Sequence, residues 1–279
     1  MSLTNESVVV ITGASSGIGR ALTVRLAQEP IAGIAISDVN AKGSAETEKL
    51  MGNPNLRVTT HHVNVADEME MRIFAEEVVS LHGRVTHVIN NAGVALGGSV
   101  KEVSLDDMRW LMDINFWGVV YGTKLFLPYL EKEKSAHIVN FSSLFGIIAP
   151  PGQATYAASK FAVRGFTEAL RHEFKGTNIS VSIVHPGGVK TNIANNAKIG
   201  KGVMLTEKEI QERKEKMNHN LSRTMPEQAA EIIVNGIKTR SPRIIIGSDA
   251  LLLTLIGRLF PRRYFSIINF ISGGRLKNV

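Results

Sequence analysis

Short runs of β-branched and other apolar residues alternate along the chain with longer stretches whose apolar residues recur every three to four positions. The short runs predict strands at 8–12, 31–37, 56–63, 85–90, 137–141, 179–184 and 243–246. Several are apolar almost throughout, the pattern of strands covered on both faces of a parallel sheet. The longer stretches predict helices over 17–28, 67–81, 105–130, 153–174, 206–217 and 226–238. The last has Pro226 in its first turn and Gly236 near its end. Right-handed crossovers leave few ways to connect such a series, and the expectation is an α/β fold, a doubly wound, mostly parallel seven-stranded sheet. No linker divides the chain, so residues 1–279 read as a single domain. An irregular region over 191–225, with Asn195, Asn196, Gly200 and Gly202, reads as a substrate loop or lid over the carboxyl edge of the sheet.

Composition narrows the classes. Hydrophobic residues at 44% and charged residues at 20% suit a buried core and not a disordered chain. The absence of cysteine excludes disulfides, thiolate metal sites, iron–sulfur clusters and cysteine nucleophiles. The first residues lack a basic, cleavable leader pattern, and no apolar run reaches membrane-spanning length, so the expectation is a cytoplasmic protein. The net charge of +7 has one location. Lys238, Arg240, Arg243, Arg258, Arg262, Arg263, Arg275 and Lys277 stand against Asp249 alone, and this is the whole excess. The rest is neutral, which argues against a nucleic-acid footprint and leaves 248–279 as a basic, apolar C-terminal extension.

The first predicted strand runs into Gly13-Ala14-Ser15-Ser16-Gly17-Ile18-Gly19, and a helix follows. Gly13 permits a tight turn, Gly17 lets the backbone approach a pyrophosphate, and Gly19 lets helix and strand pack closely. Ser15, Ser16 and Ile18 complete the candidate cradle, whose helix N-terminus supplies amide donors. A plain strand–helix turn would also carry three glycines. Asp38 argues against it, because it ends the second predicted strand nineteen residues after Gly19, where an acid can bind ribose hydroxyls. Asp38 would repel a 2′-phosphate and no cation directly follows it, so the cofactor expected is NAD.

The glycine loop, then Asn90-Asn91-Ala92-Gly93, Tyr156-Ala157-Ala158-Ser159-Lys160 and Pro186-Gly187-Gly188-Val189-Lys190-Thr191, resemble the short-chain dehydrogenases/reductases. The likeness runs in order from Ser7 to Thr191. It implies a Rossmann-like fold and a tetrad of Asn115, Ser143, Tyr156 and Lys160. It also implies cofactor contacts at Asn91, Ala92 and Gly93, at Tyr156 and Lys160, and at Pro186, Gly187, Val189 and Thr191. After the third strand stands Asn64-Val65, where the family usually has Asp-Val; both are expected at the adenine edge.

The chemistry expected of these residues is hydride exchange between a secondary alcohol and a ketone. Tyr156 and Lys160, four apart, share a helix face. A lysine ammonium and a positive nicotinamide ring would both favour the phenolate, making Tyr156 a general acid/base. Ser143 would hold the reacting oxygen. Lys160 would also bind ribose hydroxyls and pass protons through a water held by Asn115, by the same resemblance. The alternatives are a non-catalytic NAD-binding sensor or interaction protein on the same fold, and an NADP-linked carbonyl reductase.

Other features point less far. The eight histidines form no metal-ligand spacing, so no metal is expected; His61-His62 on a strand should face opposite sides. Apolar residues on several faces of 105–130 and 153–174, such as Trp110, Ile114, Phe116, Trp117, Phe126, Phe161 and Phe166, favour a homodimer or homotetramer, as the family resemblance does. Phe145, Ile147, Ile148 and Pro150 follow Ser143 and would wall a pocket for a hydrophobic small-molecule substrate. The C-terminal mixture of leucine and arginine suits a membrane surface, the substrate cleft or a neighbouring subunit, with the membrane not favoured.

Overall fold

The computed structural model describes residues 3–271 apart from 201, 204–205, 207, 210, 212–214 and 216–223. Seven strands form one sheet: β1 (Val8–Thr12), β2 (Gly33–Asp38), β3 (Arg57–His62), β4 (His87–Asn90), β6 (Ala136–Phe141), β7 (Ile179–Pro186) and β9 (Arg243–Ile246). Their order is β3-β2-β1-β4-β6-β7-β9, and every neighbouring pair is parallel. This is the doubly wound, Rossmann-like arrangement expected. β1 and β4 are neighbours at the switch point, where the chain turns from winding one way to winding the other and crevices form. Each predicted strand is present, with ends shifted by no more than two residues.

One core layer packs Leu22 and Leu26 of α1 (Gly17–Leu26) and Ile233, Val234 and Ile237 of α7 (Pro226–Lys238) against β1 and β2. The other packs Met71, Phe74 and Val78 of α3 (Glu68–His82) and Phe126 and Leu130 of α5 (Gly118–Leu130) on the opposite face. His61 is buried and His62 exposed, as the strand alternation predicts.

Four features depart from the sequence reading. A helix at α2 (Ala41–Met51) departs from the sequence reading; it buries Gly43, Ser44 and Thr47, with Met51 its one large apolar residue in the core, and so carries no apolar stripe. The helix expected over 105–130 is α4 (Leu105–Met112), a π turn over Asp113–Trp117 and α5. Two-residue strands β5 (Leu96–Gly97) and β8 (Lys198–Ile199) pair in parallel and tie the 191–200 segment to the chain after β4. The C-terminal extension contains helices α8 (Ser248–Leu259) and α9 (Tyr264–Ile271). Most of the helix expected over 206–217, and with it much of the proposed lid, lies outside the described residues.

Candidate active site

The glycine loop leaves β1 with Gly13 and Gly17 at φ values of 69° and 55°, a region that glycine enters without a Cβ clash. At Gly13 a Cβ would lie 2.6 Å from the Ala92 Cα, so the β1 and β4 loops touch backbone to backbone. Asn91 fastens them, its Nδ2 donating to the Thr12 and Gly13 carbonyls at 2.9 Å each. The Asn91 and Ala92 amides both donate to Thr12 Oγ1 at 3.2 Å. Thr191 closes the other side, since a Cβ on Gly17 would meet its Cγ2 at 3.2 Å.

Helices α2, α3 and α4 are capped by the side chains of Asn40, Asp67 and Ser104. No side chain caps α1, and its first turn holds no acid. Its amide donors and positive dipole end therefore face the crevice without a protein anion, which fits a pyrophosphate. Asp38 ends β2 beside this loop, accepting from the Ser15 amide at 3.0 Å and the Asn40 amide at 2.9 Å. Arg20, the nearby cation, is engaged with the Ser15 and Gly43 carbonyls, Thr47 Oγ1 and Glu46. Asn64 is exposed and turns back on its own segment, while Val65 is buried against Gly118. Val189 is buried in the core, and its segment is held by an isolated bridge to Thr224.

Tyr156 and Lys160 lie on α6 (Ala154–Glu173), and the Lys160 Nζ sits 5.9 Å from the Tyr156 ring centroid. Lys160 is 3% exposed and donates to the Phe141 carbonyl at 3.1 Å. Burial lowers its pKa to about 8. Burial also raises the Tyr156 phenol above its usual value, opposed by a hydrogen bond with the Ser143 side chain. The lowered phenol expected from the sequence is therefore absent from the chain alone. Desolvation disfavours the phenolate, and the ammonium is turned to the β6 carbonyl.

The two serines after β6 have separate tasks. Ser142 Oγ donates to the Lys160 carbonyl at 2.8 Å and is buried. Ser143, partly exposed, is the one beside Tyr156. Its Oγ also accepts from the Phe145 amide at 3.1 Å, and its carbonyl meets His185 Nδ1 at 2.9 Å. His185 is fully buried, and desolvation lowers its pKa to about 4, so it holds that carbonyl as a neutral donor. Asn115, on the π turn, is fully buried. Its Oδ1 accepts from the Val94 amide at 2.8 Å, and its Nδ2 donates to the Val94 carbonyl at 3.0 Å and Ser159 Oγ at 3.2 Å. The Asn115 side chain is thus engaged as a clasp between the β4 loop and α6. A Cβ on Gly93 would lie 3.2 Å from both Asn115 Oδ1 and Lys160 Nζ, which shows how closely these elements converge.

Three positioning groups carried no sequence signal. His185 supports Ser143; Arg20 braces the glycine loop against α2; and Asp249 of α8 accepts from the Gly188 amide at 2.9 Å, fixing the turn after β7. His185, Asp249 and the Arg20 contact with Gly43 act across distances in sequence that no motif spans. A cavity of about 730 Å³ lies along α1, touching Gly17, Thr191, Arg20 and Arg25. None of Ser143, Tyr156 or Lys160 lines it, so it flanks the crevice and does not contain the tetrad.

A family model for the short chain dehydrogenases matches residues 7–202. A putative oxidoreductase, SadH, of Mycobacterium tuberculosis is 41% identical over 270 residues, covering 96% of each chain. A short-chain dehydrogenase/reductase from Burkholderia phymatum, solved with NAD, superposes with a TM-score of 0.83 at 26% identity, over 92% of this chain and 94% of that one. A short-chain dehydrogenase from Mycobacterium paratuberculosis bound to NAD gives a TM-score of 0.73 at 26% identity, over 88% and 97%. The parallel sheet, the glycine loop at its switch point and these likenesses agree: the chain belongs to the short-chain dehydrogenase/reductase family of oxidoreductases.

Proposed function

We propose that this protein is an NAD-dependent oxidoreductase that interconverts a hydrophobic secondary alcohol and its ketone, with Tyr156 as the general acid/base. The observation that carries this reading is the meeting of Tyr156, Ser143 and Lys160 beside an uncapped helix N-terminus at the sheet's switch point. A bound nicotinamide supplies the hydride acceptor for the alcohol carbon or the hydride donor for the ketone carbon.

The chain's own residues handle the oxygen and its proton. Ser143 Oγ donates to the substrate oxygen and holds it against Tyr156. In reduction the phenol delivers its proton to the ketone oxygen, a role that suits a tyrosine kept protonated by burial. In oxidation Tyr156 takes the alcohol proton, and the Lys160 ammonium favours the phenolate once substrate draws it in. NAD rather than NADP is supported by Asp38 at the ribose end and by the prior engagement of Arg20, which leaves that cation committed elsewhere. Two family neighbours solved with NAD support the same choice. Phe145 follows Ser143, and its ring meets that of Tyr156 edge-on with centroids 6.1 Å apart, which favours an apolar substituent. We assign self-association to the surface bearing Trp117 and Phe161, 44% and 39% exposed.

Fluorescence titration with NADH and NADPH, followed by a screen of secondary alcohols and ketones, tests the reading. NADH should bind more tightly. Tyr156→Phe should lower turnover by about 10²–10⁴-fold with NADH affinity retained. Tighter NADPH binding would overturn the cofactor assignment, and turnover surviving in Tyr156→Phe would remove the tyrosine from its role. NADH binding with no turnover of any alcohol or ketone would favour a sensor.

A further inference from the structure

Helix α8 is apolar on two opposite sides. Ala250, Ile256 and Leu253 face inward, and the helix packs over Leu144, Phe145, Ile147 and Ile148, with Gly257 close enough that a Cβ would meet Ile148 at 3.1 Å. At 100° per residue, Leu251, Leu255, Leu259 and Leu252 fall in one stripe about 100° wide on the other side. They are 53%, 49%, 68% and 52% exposed. Phe260, Phe270 and Ile271 follow, also exposed. A contiguous apolar face of this kind marks a surface that is covered in use.

The charge pattern selects the cover. From residue 250 onward the sequence has Arg258, Arg262, Arg263, Arg275 and Lys277 and no acid. Arg258, Arg262 and Arg263 are exposed and have no ion-pair partner among the described residues. A two-fold contact of this face with itself would set arginine near arginine with no carboxylate between them. Anionic lipid supplies both what the leucines and what the arginines lack. The 12 residues of α8 span about 18 Å, too short for a hydrocarbon core of about 30 Å. Among the described residues no helix is long and apolar enough to cross a membrane. A lipid contact made by this helix is therefore one along the interface and not a span.

We infer that α8 and the arginines after it dock this protein on an anionic membrane surface, the leucine stripe immersed and Arg258, Arg262 and Arg263 against lipid phosphates. Because its inner side covers the wall that follows Ser143, docking brings that wall to the lipid. The docking surface stands independently of the reaction assigned to the crevice.

The test is co-sedimentation of the full chain with vesicles of phosphatidylcholine alone and of phosphatidylcholine mixed with phosphatidylglycerol. The protein should pellet with the mixed vesicles and stay in solution with the neutral ones, and binding should weaken as salt rises. Leu255→Ser with Leu259→Ser, and separately Arg262→Glu with Arg263→Glu, should each abolish pelleting. Circular dichroism and the melting temperature, unchanged in both variants, show that the fold survives. No pelleting with anionic vesicles, or pelleting that both variants retain, overturns the proposal. So does self-association on gel filtration that Leu255→Glu abolishes, which would put a second copy on this face.

Discussion

Lys160 turns its ammonium to the Phe141 carbonyl, 3.1 Å away, while standing 5.9 Å from the centre of the Tyr156 ring. Its pKa near 8 therefore comes from burial and not from a partner. The sign follows. A lysine that titrates near 10.5 when unfolded and near 8 when folded binds more protons in the unfolded state between those values. Its destabilising charge is fully present below pH 8 and is relieved as pH rises toward 10.5, by about 1.4 kcal/mol per pH unit. In Lys160→Met this alkaline gain in stability should vanish, as read by denaturant titration across the range. Oxidation should lose most of its rate in the same variant.

Asp38 is expected to set the cofactor preference. Its carboxylate accepts from the Ser15 and Asn40 amides, so Asp38→Asn keeps an acceptor while removing the charge. The ratio of NADPH to NADH dissociation constants should move toward NADPH by about tenfold, the equivalent of about 1.4 kcal/mol. A ratio unchanged in this variant would take Asp38 out of the preference.

Gly19 has no room for a side chain. A Cβ there would collide with the Gly13 carbonyl oxygen and Asn91 Nδ2, the contacts that join the β1 and β4 loops. Gly19→Ala should lower stability by about 1–3 kcal/mol and weaken NADH binding together, measured by melting and titration on one sample.

Lys198 ties the substrate-loop segment to α4. It forms an ion pair with the buried Asp107 at 2.5 Å and lies 4.9 Å from the Trp110 ring centroid. Lys198→Met should raise KM for the alcohol severalfold with NADH affinity unchanged, because the glycine loop does not depend on this tie. Lys198→Arg should restore much of the loss.

Two of the buried histidines weaken the fold in acid. Desolvation lowers His137 to about 3 and His185 to about 4, from 6.5. Unfolding lets them take up protons, so stability is lost as pH falls from 6.5 toward 4. Each fully titrating group contributes at most about 1.4 kcal/mol per pH unit. Replacement of His137 by Gln should make the pH dependence of the melting temperature shallower in that window.

Much of this protein is local in its sequence. The apolar runs marked β1, β4 and β6, because a strand buried on both faces must be apolar along its length, while the edge strand β3 showed only β-branched residues and alternation. The glycine loop and the ordered motifs through Thr191 were legible because each rests on neighbours a few residues apart, and Asp38 because it ends the strand that follows the loop's helix. Helix α2 was illegible because it packs chiefly through Gly43, Ser44 and Thr47, whose small size suits a close approach, and its single large core residue, Met51, makes no hydrophobic period. Helices α8 and α9 were illegible for the opposite reason, α8 being apolar on two opposite sides and α9 apolar in most of its residues, so neither shows a single stripe.

The resemblance already singled out Ser143; only the tertiary structure gave Ser142 its own task, locking α6 through the Lys160 carbonyl. Only it engaged the Asn115 amide with Val94, placed His185 under Ser143 and spent Arg20 on the glycine loop. Hydrogen-bond direction and burial at those positions depend on strands and helices brought together from distant parts of the chain. The Tyr156 phenol shows the same division: its place on a helix face with Lys160 is written in a spacing of four, while its protonation is decided by how much water the folded crevice excludes.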